Sequence, residues 1–106
     1  MHLGEYKFWV TLFEKTYTLD EQGGRIETLR PVGQCWAFIE EKNEAAGQEE
    51  MREEYRNRLE CHIKTTKEVK PGMAVQVQGK YYEIKQAVRN FATIYDVRLL
   101  CEEMLG

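Results

Sequence analysis

The chain has 106 residues, of which 42% are hydrophobic, 31% charged and 11% aromatic, and 15 Lys+Arg against 18 Asp+Glu leave a net charge of −3. A chain of this length buries roughly 60–70% of its unfolded surface, which builds one core but not a deep, separately walled active site, so a large multidomain enzyme is excluded. No apolar run approaches the ~20 residues that span a bilayer, and Met1–Glu5 lacks the layout of a signal peptide. The expectation is a single soluble domain over residues 1–106, with no membrane partner.

Alternation with period two dominates the chain and predicts strands, because successive side chains of a strand point to opposite faces. Tyr6, Phe8, Val10 and Leu12 share one parity, while Trp9 and Phe13 interrupt the polar parity, so the first strand carries aromatics on both faces. Asp20-Glu21-Gln22-Gly23-Gly24 predicts a reversing turn. Arg25 to Leu29 reads as a short strand broken by Pro31-Val32-Gly33. Gln34 to Glu41 follows as a strand that is apolar on both sides, with Cys35, Ala37 and Ile39 against Trp36 and Phe38.

The period then changes. Asn43 to Glu54 has no β-branched residue and many helix formers, yet Gly47 and the mutually repelling Glu49, Glu50, Glu53 and Glu54 weaken a helix. This predicts a polar, at most short-helical insertion over about residues 42–54, exposed and dependent on a partner for its conformation. Alternation resumes from Tyr55, with Leu59, Cys61 and Ile63 inward and Arg58, Glu60, His62 and Lys64 outward. Lys70-Pro71-Gly72 is a turn signal, and Met73, Val75 and Val77 alternate after it. Gln78-Gly79-Lys80 joins a tight hairpin in which Tyr82, Ile84 and Val88 share a face. After a looser turn near Arg89-Asn90-Phe91, the last strand carries Tyr95, Val97, Leu99 and Cys101 on one parity. About six strands joined by short turns predict an all-β fold, closed as a small antiparallel β-barrel or as a curled sandwich, since either covers most strand edges, and the barrel is the expected form.

Catalytic chemistry has little to work with. Gly23-Gly24 lies between strands instead of opening a helix, which excludes a phosphate loop. Cys61 and His62 are neighbours in one strand and point to opposite faces, so they form no nucleophile and base pair; a buried Cys beside an exposed His is the simpler reading. Cys35, Cys61 and Cys101 are odd in number and widely spaced, and read as free thiols. Glu49, Glu50, Glu53 and Glu54 lack the interleaved turn residues of a cation loop and read as a solvated acidic surface. No catalytic residue, metal or cofactor is therefore expected. Nucleic-acid recognition would need a basic stripe, but Arg52, Arg56, Arg58, Lys64 and Lys67 are offset by glutamates, and Trp9, Trp36, Phe38 and Tyr81 suit a core as well as a stacking platform.

The positive signal is aromatic residues on both parities. A small barrel has one apolar interior, so the second set, Trp9, Phe13, Trp36 and Phe38, points to contact with another subunit or protein, with a covering loop as the alternative.

The succession of Tyr6 to Glu14, the Asp20 to Gly24 turn, Gln34-Cys35-Trp36-Ala37-Phe38-Ile39-Glu40, the polar insertion, Leu59 to Lys64, Val69 to Val75, Gly79-Lys80-Tyr81-Tyr82-Glu83-Ile84 and Val97 to Glu102 spans nearly the whole chain. This order resembles the small head-tail joining proteins of long-tailed bacteriophages, also called head-closure or stopper proteins. The resemblance implies a β-barrel subunit, monomeric before docking, that forms a homo-oligomeric ring, commonly a dodecamer, below the portal and its adaptor ring. It implies a structural protein of the virion's head-tail junction, assembled in the host bacterial cytoplasm, with the portal or adaptor ring and tail proteins as partners and packaged DNA passing through without sequence recognition. It also implies that the insertion faces the channel and helps retain DNA; by position this loop comprises Glu41, Glu44, Gln48, Glu49, Glu50, Met51, Arg52, Glu53 and Glu54. The competing readings are a tail-completion or tail-terminator ring protein and a small nucleic-acid-binding barrel.

Overall fold

A computed structural model describes residues 6–42 and 57–104. Six strands make up the described chain: β1 (Phe8–Leu19), β2 (Arg25–Glu41), β3 (Arg58–Lys64), β4 (Ala74–Val77), β5 (Lys80–Arg89) and β6 (Asp96–Glu103). They form a closed antiparallel barrel in the order β1-β2-β3-β6-β5-β4. Closure is made by β1 and β4, where Val10–Phe13 pair with Ala74–Val77. The predicted all-β barrel is the observed fold, and no helix occurs among the described residues. Of the polar insertion, Lys42 is described, and residues 43–54 lie outside the described residues.

Inward parity builds the core. Val10, Leu12, Ala37, Cys61, Ile63, Val75, Ile84 and Leu99 are essentially inaccessible to solvent and meet in one cluster with Leu59, Val77, Tyr82, Val97 and Cys101. Each comes from the parity that the sequence assigned to the interior, since a barrel of six strands has room only for its own inward side chains.

Two departures from the expected alternation have the same cause. β2 is one continuous strand of 17 residues, not two segments. Its register against β1 shifts from Leu12↔Gly33 to Phe13↔Pro31, so Val32 is an extra residue turned toward the core. Pro31 lacks an N–H, and a bulge, where the ladder is already interrupted, tolerates it. In β5 the register passes from Ile84↔Cys101 to Gln86↔Leu100, leaving Lys85 unpaired. The inserted residue flips the parity behind it: Ala87 packs on the core, and Val88, expected inside with Tyr82 and Ile84, faces out.

The turns follow their residue chemistry. Met73 N donates to Lys70 O at 3.2 Å across Pro71-Gly72, with Gly72 at φ +98°, as a type II turn requires. Gln78 (φ 51°) and Gly79 (φ 85°) join β4 to β5 in a two-residue hairpin. Positive φ at both positions is the primed-turn geometry whose twist suits paired strands.

The β1–β2 hairpin is longer than the barrel needs. Beyond Phe13, β1 has no partner but β2, so Glu14–Leu19 and Arg25–Arg30 form a two-stranded arm. Asp20 Oδ1 closes its tip by accepting from Gln22 N (2.9 Å) and Gly24 N (2.6 Å). Tyr17, Leu19 and Ile26 are exposed along the arm.

Candidate interaction surfaces

The outer face of the barrel is divided by chemistry. On β2, β1, β4 and the start of β5, the register aligns Trp36 with Trp9, then Gln34 with Thr11, Gln76 and Tyr81. Trp9 and Trp36 meet edge to face, with ring centroids 4.9 Å apart at 66°, and are 50% and 53% exposed. Gln34 Nε2 donates to Thr11 Oγ1 at 3.2 Å, and Phe13 tilts against Tyr81 at 5.5 Å. These seven residues carry no formal charge in a chain in which nearly a third of residues are charged. Aromatic enrichment with depletion of charge is the composition of an interface centre. Aromatic rings at cross-strand positions also hold one another in place, so the wall is formed before any partner arrives.

The opposite side, on β3, β6 and the adjoining parts of β2 and β5, is a ladder of ion pairs. Glu60, buried on the outer surface, faces Glu40 across the strands. Two opposed carboxylates would repel, but Lys42 Nζ lies 3.4 Å from Glu60 and 3.7 Å from Glu40, and Arg98 Nε lies 3.3 Å from Glu60. Further along, Lys64 donates to Asp96 at 2.7 Å, and Lys85 lies 3.3 Å from Glu83. Lys15, at the base of the arm, approaches Glu83 (3.3 Å) and Glu27 (3.4 Å). Partial burial alone would lower the Lys15 pKa, but these carboxylates outweigh it and raise it; Glu83 is lowered in turn, burial opposing and Lys15 and Lys85 prevailing.

Glu40, Glu60 and His62 bring their ligand atoms within 4.8 Å of one another and are the group that could hold a cation among the described residues. Lys42 and Arg98 already occupy its carboxylates, and their charges disfavour a metal ion at the same point.

Of the aromatics expected at a subunit interface, Trp9, Phe13 and Trp36 lie on the uncharged wall. Phe38 has the same outward parity but is only 8% exposed: Tyr6 and His62 cover it, with ring centroids at 6.3 and 5.3 Å. His62, expected to be exposed, is accordingly half-buried, and its Nε2 has no hydrogen-bond partner among the described residues. Glu41 is exposed at the end of β2. Glu44, Gln48, Glu49, Glu50, Met51, Arg52, Glu53 and Glu54 lie outside the described residues. Tyr81 joins the wall through its register with Gln76. The exposed arm residues Tyr17, Leu19 and Ile26 carry no distinguishing signal in the sequence, because their hydrophobicity reads as ordinary strand alternation.

The three thiols are free. Burial pushes the Cys101 pKa up to about 12, and it raises Cys61, with smaller contributions from Cys101 and Cys35. Burial also raises Cys35. The buried Cys61 and Cys101 are core filling, not nucleophiles.

A closed barrel with an uncharged aromatic wall and an ion-paired opposite wall has the surface composition of a protein that offers contact faces and no catalytic cleft among the described residues. The chain belongs to the phage head completion protein family, which matches residues 1–104, and is a structural component of the phage head. Its fold is similar to the solution structure of protein SF1141 from Shigella flexneri 2a. The identity is 17%, with 97% of this chain and 96% of that one covered and a TM-score of 0.67. It is also similar to a chain of the virion of a native gene transfer agent particle, at 11% identity, with 92% and 94% of the two chains covered and a TM-score of 0.64. Among curated proteins, none matches this sequence.

Proposed function

We propose that this chain is a ring-forming subunit of the phage head-tail connector, which joins the DNA-filled capsid to the tail and helps retain the packaged DNA until ejection. The observation that carries this reading is the uncharged wall of Trp9, Thr11, Phe13, Gln34, Trp36, Gln76 and Tyr81 on a member of a head completion family. A closed barrel offers little free strand edge, so its copies associate through outer faces. In a head-to-tail contact, one patch meets a different patch of the next copy, and repetition closes a ring. The wall supplies one patch. The portal or adaptor ring and tail proteins are the other partners, no catalysis is involved, and the site of action is the head-tail junction after assembly in the host cytoplasm.

The segment from Glu41 to Glu54 lines the channel in this reading. Glu44, Glu49, Glu50, Glu53 and Glu54 against Arg52 leave residues 43–54 with a charge of −4, five carboxylates less one guanidinium, which exceeds the −3 of the whole chain. Negative charge facing the channel repels DNA phosphates and limits sticking as the genome passes.

A phage or prophage lacking the chain tests the reading. The expected products are DNA-filled or leaky heads together with separate tails, and normal virions would sink it. A ring recovered on isolated tails instead of heads would favour a tail-terminator role. Deleting Ala45 to Glu53 should impair DNA retention; particles that keep their DNA normally count against the channel assignment.

A further inference from the structure

We propose that the β1–β2 arm is a strand-addition site for a second copy of this chain, the outer edge of Glu14–Leu19 in one copy pairing antiparallel with the outer edge of Arg25–Arg30 in the next. The barrel is closed, but the arm takes no part in the closure. β4 stops opposite Phe13 and β3 starts opposite Ala37, so among the described residues each arm strand has a bare edge six residues long.

The tip of the arm fixes which backbone groups those edges present. Asp20 N donates to Gly24 O at 2.8 Å, which makes these two a hydrogen-bonded pair. Hydrogen-bonded and non-hydrogen-bonded pairs alternate along an antiparallel ladder, so Leu19 with Arg25, Tyr17 with Glu27 and Lys15 with Leu29 turn their N–H and C=O groups outward. The same alternation puts Pro31, opposite Phe13, at a position where the hairpin needs no N–H.

Such edges attract other strands unless a proline, a bulge or a charge blocks them. Pro31 and the bulge at Val32 lie at the root of the arm, not along it. Thr16, Tyr17, Thr18, Ile26 and Thr28 are strand formers. The charged side chains are held within the arm: Arg30 donates to Glu14, Lys15 lies 3.4 Å from Glu27, and Arg25 lies over the Tyr17 ring at 4.3 Å. The arm is also ordered before a partner arrives. The Thr16 and Thr28 hydroxyls are 2.6 Å apart, Lys15 ties the base to Glu83 on β5 at 3.3 Å, and Asp20 closes the tip.

Register selects the occupant. Outward-facing residues of one arm strand lie opposite those of the other, so the hairpin's own register can repeat between copies. Lys15, Tyr17 and Leu19 then meet Leu29, Glu27 and Arg25 of the next copy, and Glu14 meets its Arg30. Every side chain gains the kind of neighbour that it already has, a fit displayed within the hairpin itself. Pairing of like edges is worse: at full overlap, two β2 edges set Arg25 against Arg30 at both ends, and two β1 edges leave both β2 edges bare. A strand from another protein covers one edge, whereas further copies cover both. Contact between unlike edges is head-to-tail, and its repetition closes a ring.

The addition supplies one subunit contact of the proposed ring and rests on that reading only for its particle probe. Two full-length chains, one Tyr17→Cys and one Glu27→Cys, are mixed in concentrated solution and are also supplied together to a phage lacking the chain. Both preparations are oxidised, and disulfides are mapped by mass spectrometry. The expected product joins position 17 of one chain to position 27 of the other, in the mixture and in neither chain alone. Equal cross-linking of Tyr17→Cys with itself overturns the pairing of unlike edges. No cross-link in either preparation overturns the addition, even where a ring is present on the particle. Cross-linking in solution by a chain missing from the particles would sink the connector reading and leave the addition in place. Glu27→Pro removes an outward N–H that the hairpin does not use, whereas Glu27→Thr removes the same side chain and keeps the N–H. The two should melt alike, yet Glu27→Pro should enter particles about tenfold less well, and normal incorporation of both overturns the addition.

Discussion

Trp9→Thr separates what the aromatic wall does for the fold from what it does for assembly. Trp9 is 50% exposed. A tryptophan contributes up to ~250 Å² of surface, so about 125 Å² is already covered; at ~25 cal/mol per Å² its loss costs at most about 3 kcal/mol. Threonine keeps the strand propensity, and the melting temperature should fall by about 8–20 °C for a loss of about 2–3 kcal/mol. The other ~125 Å² is what a neighbouring copy would cover, so each subunit contact weakens by up to about 3 kcal/mol, on the order of a hundredfold. The control is Ile84→Ala, whose side chain is fully buried and whose cavity costs about 2–5 kcal/mol without touching the wall. Both variants are supplied to a null mutant well below their melting points, and the chain incorporated per filled head is measured. Ile84→Ala should incorporate normally and Trp9→Thr poorly. Equal incorporation of the two would refute the assignment of the wall to an interface.

Three further outcomes test the physical account of the fold. Gly72→Ala meets no atom within 4 Å but forces a side chain to φ +98°, so calorimetry should show a loss of about 1–2 kcal/mol. In a pH series, the stability contributed by Glu83, whose pKa is lowered in the folded chain, is present above its ordinary 4.5 and lost as pH falls through the folded value. Cys61 and Cys101 are raised in the folded chain, so their contribution is complete below the ordinary 9.0 and lost as pH rises past it, which places the stability plateau between about pH 4.5 and 9. Under native conditions a maleimide should modify Cys35, half-buried, and leave Cys61 and Cys101 unmodified until the chain unfolds; mass spectrometry of the labelled chain reads this directly.

Strand parity was legible because the barrel has one interior. Leu59, Cys61 and Ile63, or Val97, Leu99 and Cys101, could face inward in only one register. The bulges were not legible. Lys85 carries no glycine or proline signal, and its insertion depends on how β5 must bend to stay paired with β6, so strand alternation alone puts Val88 on the wrong face. Pro31-Val32-Gly33 did signal an irregularity, but whether it breaks a strand or bulges it depends on β1 lying alongside. The wall was half legible: Trp9, Phe13 and Trp36 stood out as a second apolar parity. Phe38 differs because Tyr6 and His62 close over it, a contact across strands that parity does not encode. In the sequence Phe91 is simply part of a turn, since its exposure follows from the hydrogen bonds of Arg89 and Asn90.

The connector reading is tested most directly by electron microscopy of the intact particle at the head-tail junction. The account predicts a closed ring of this chain between the capsid and the tail, with the Trp9 and Trp36 wall of each copy covered by its neighbour. Copies placed elsewhere in the particle, or a ring whose tryptophan wall faces open solvent, would contradict it.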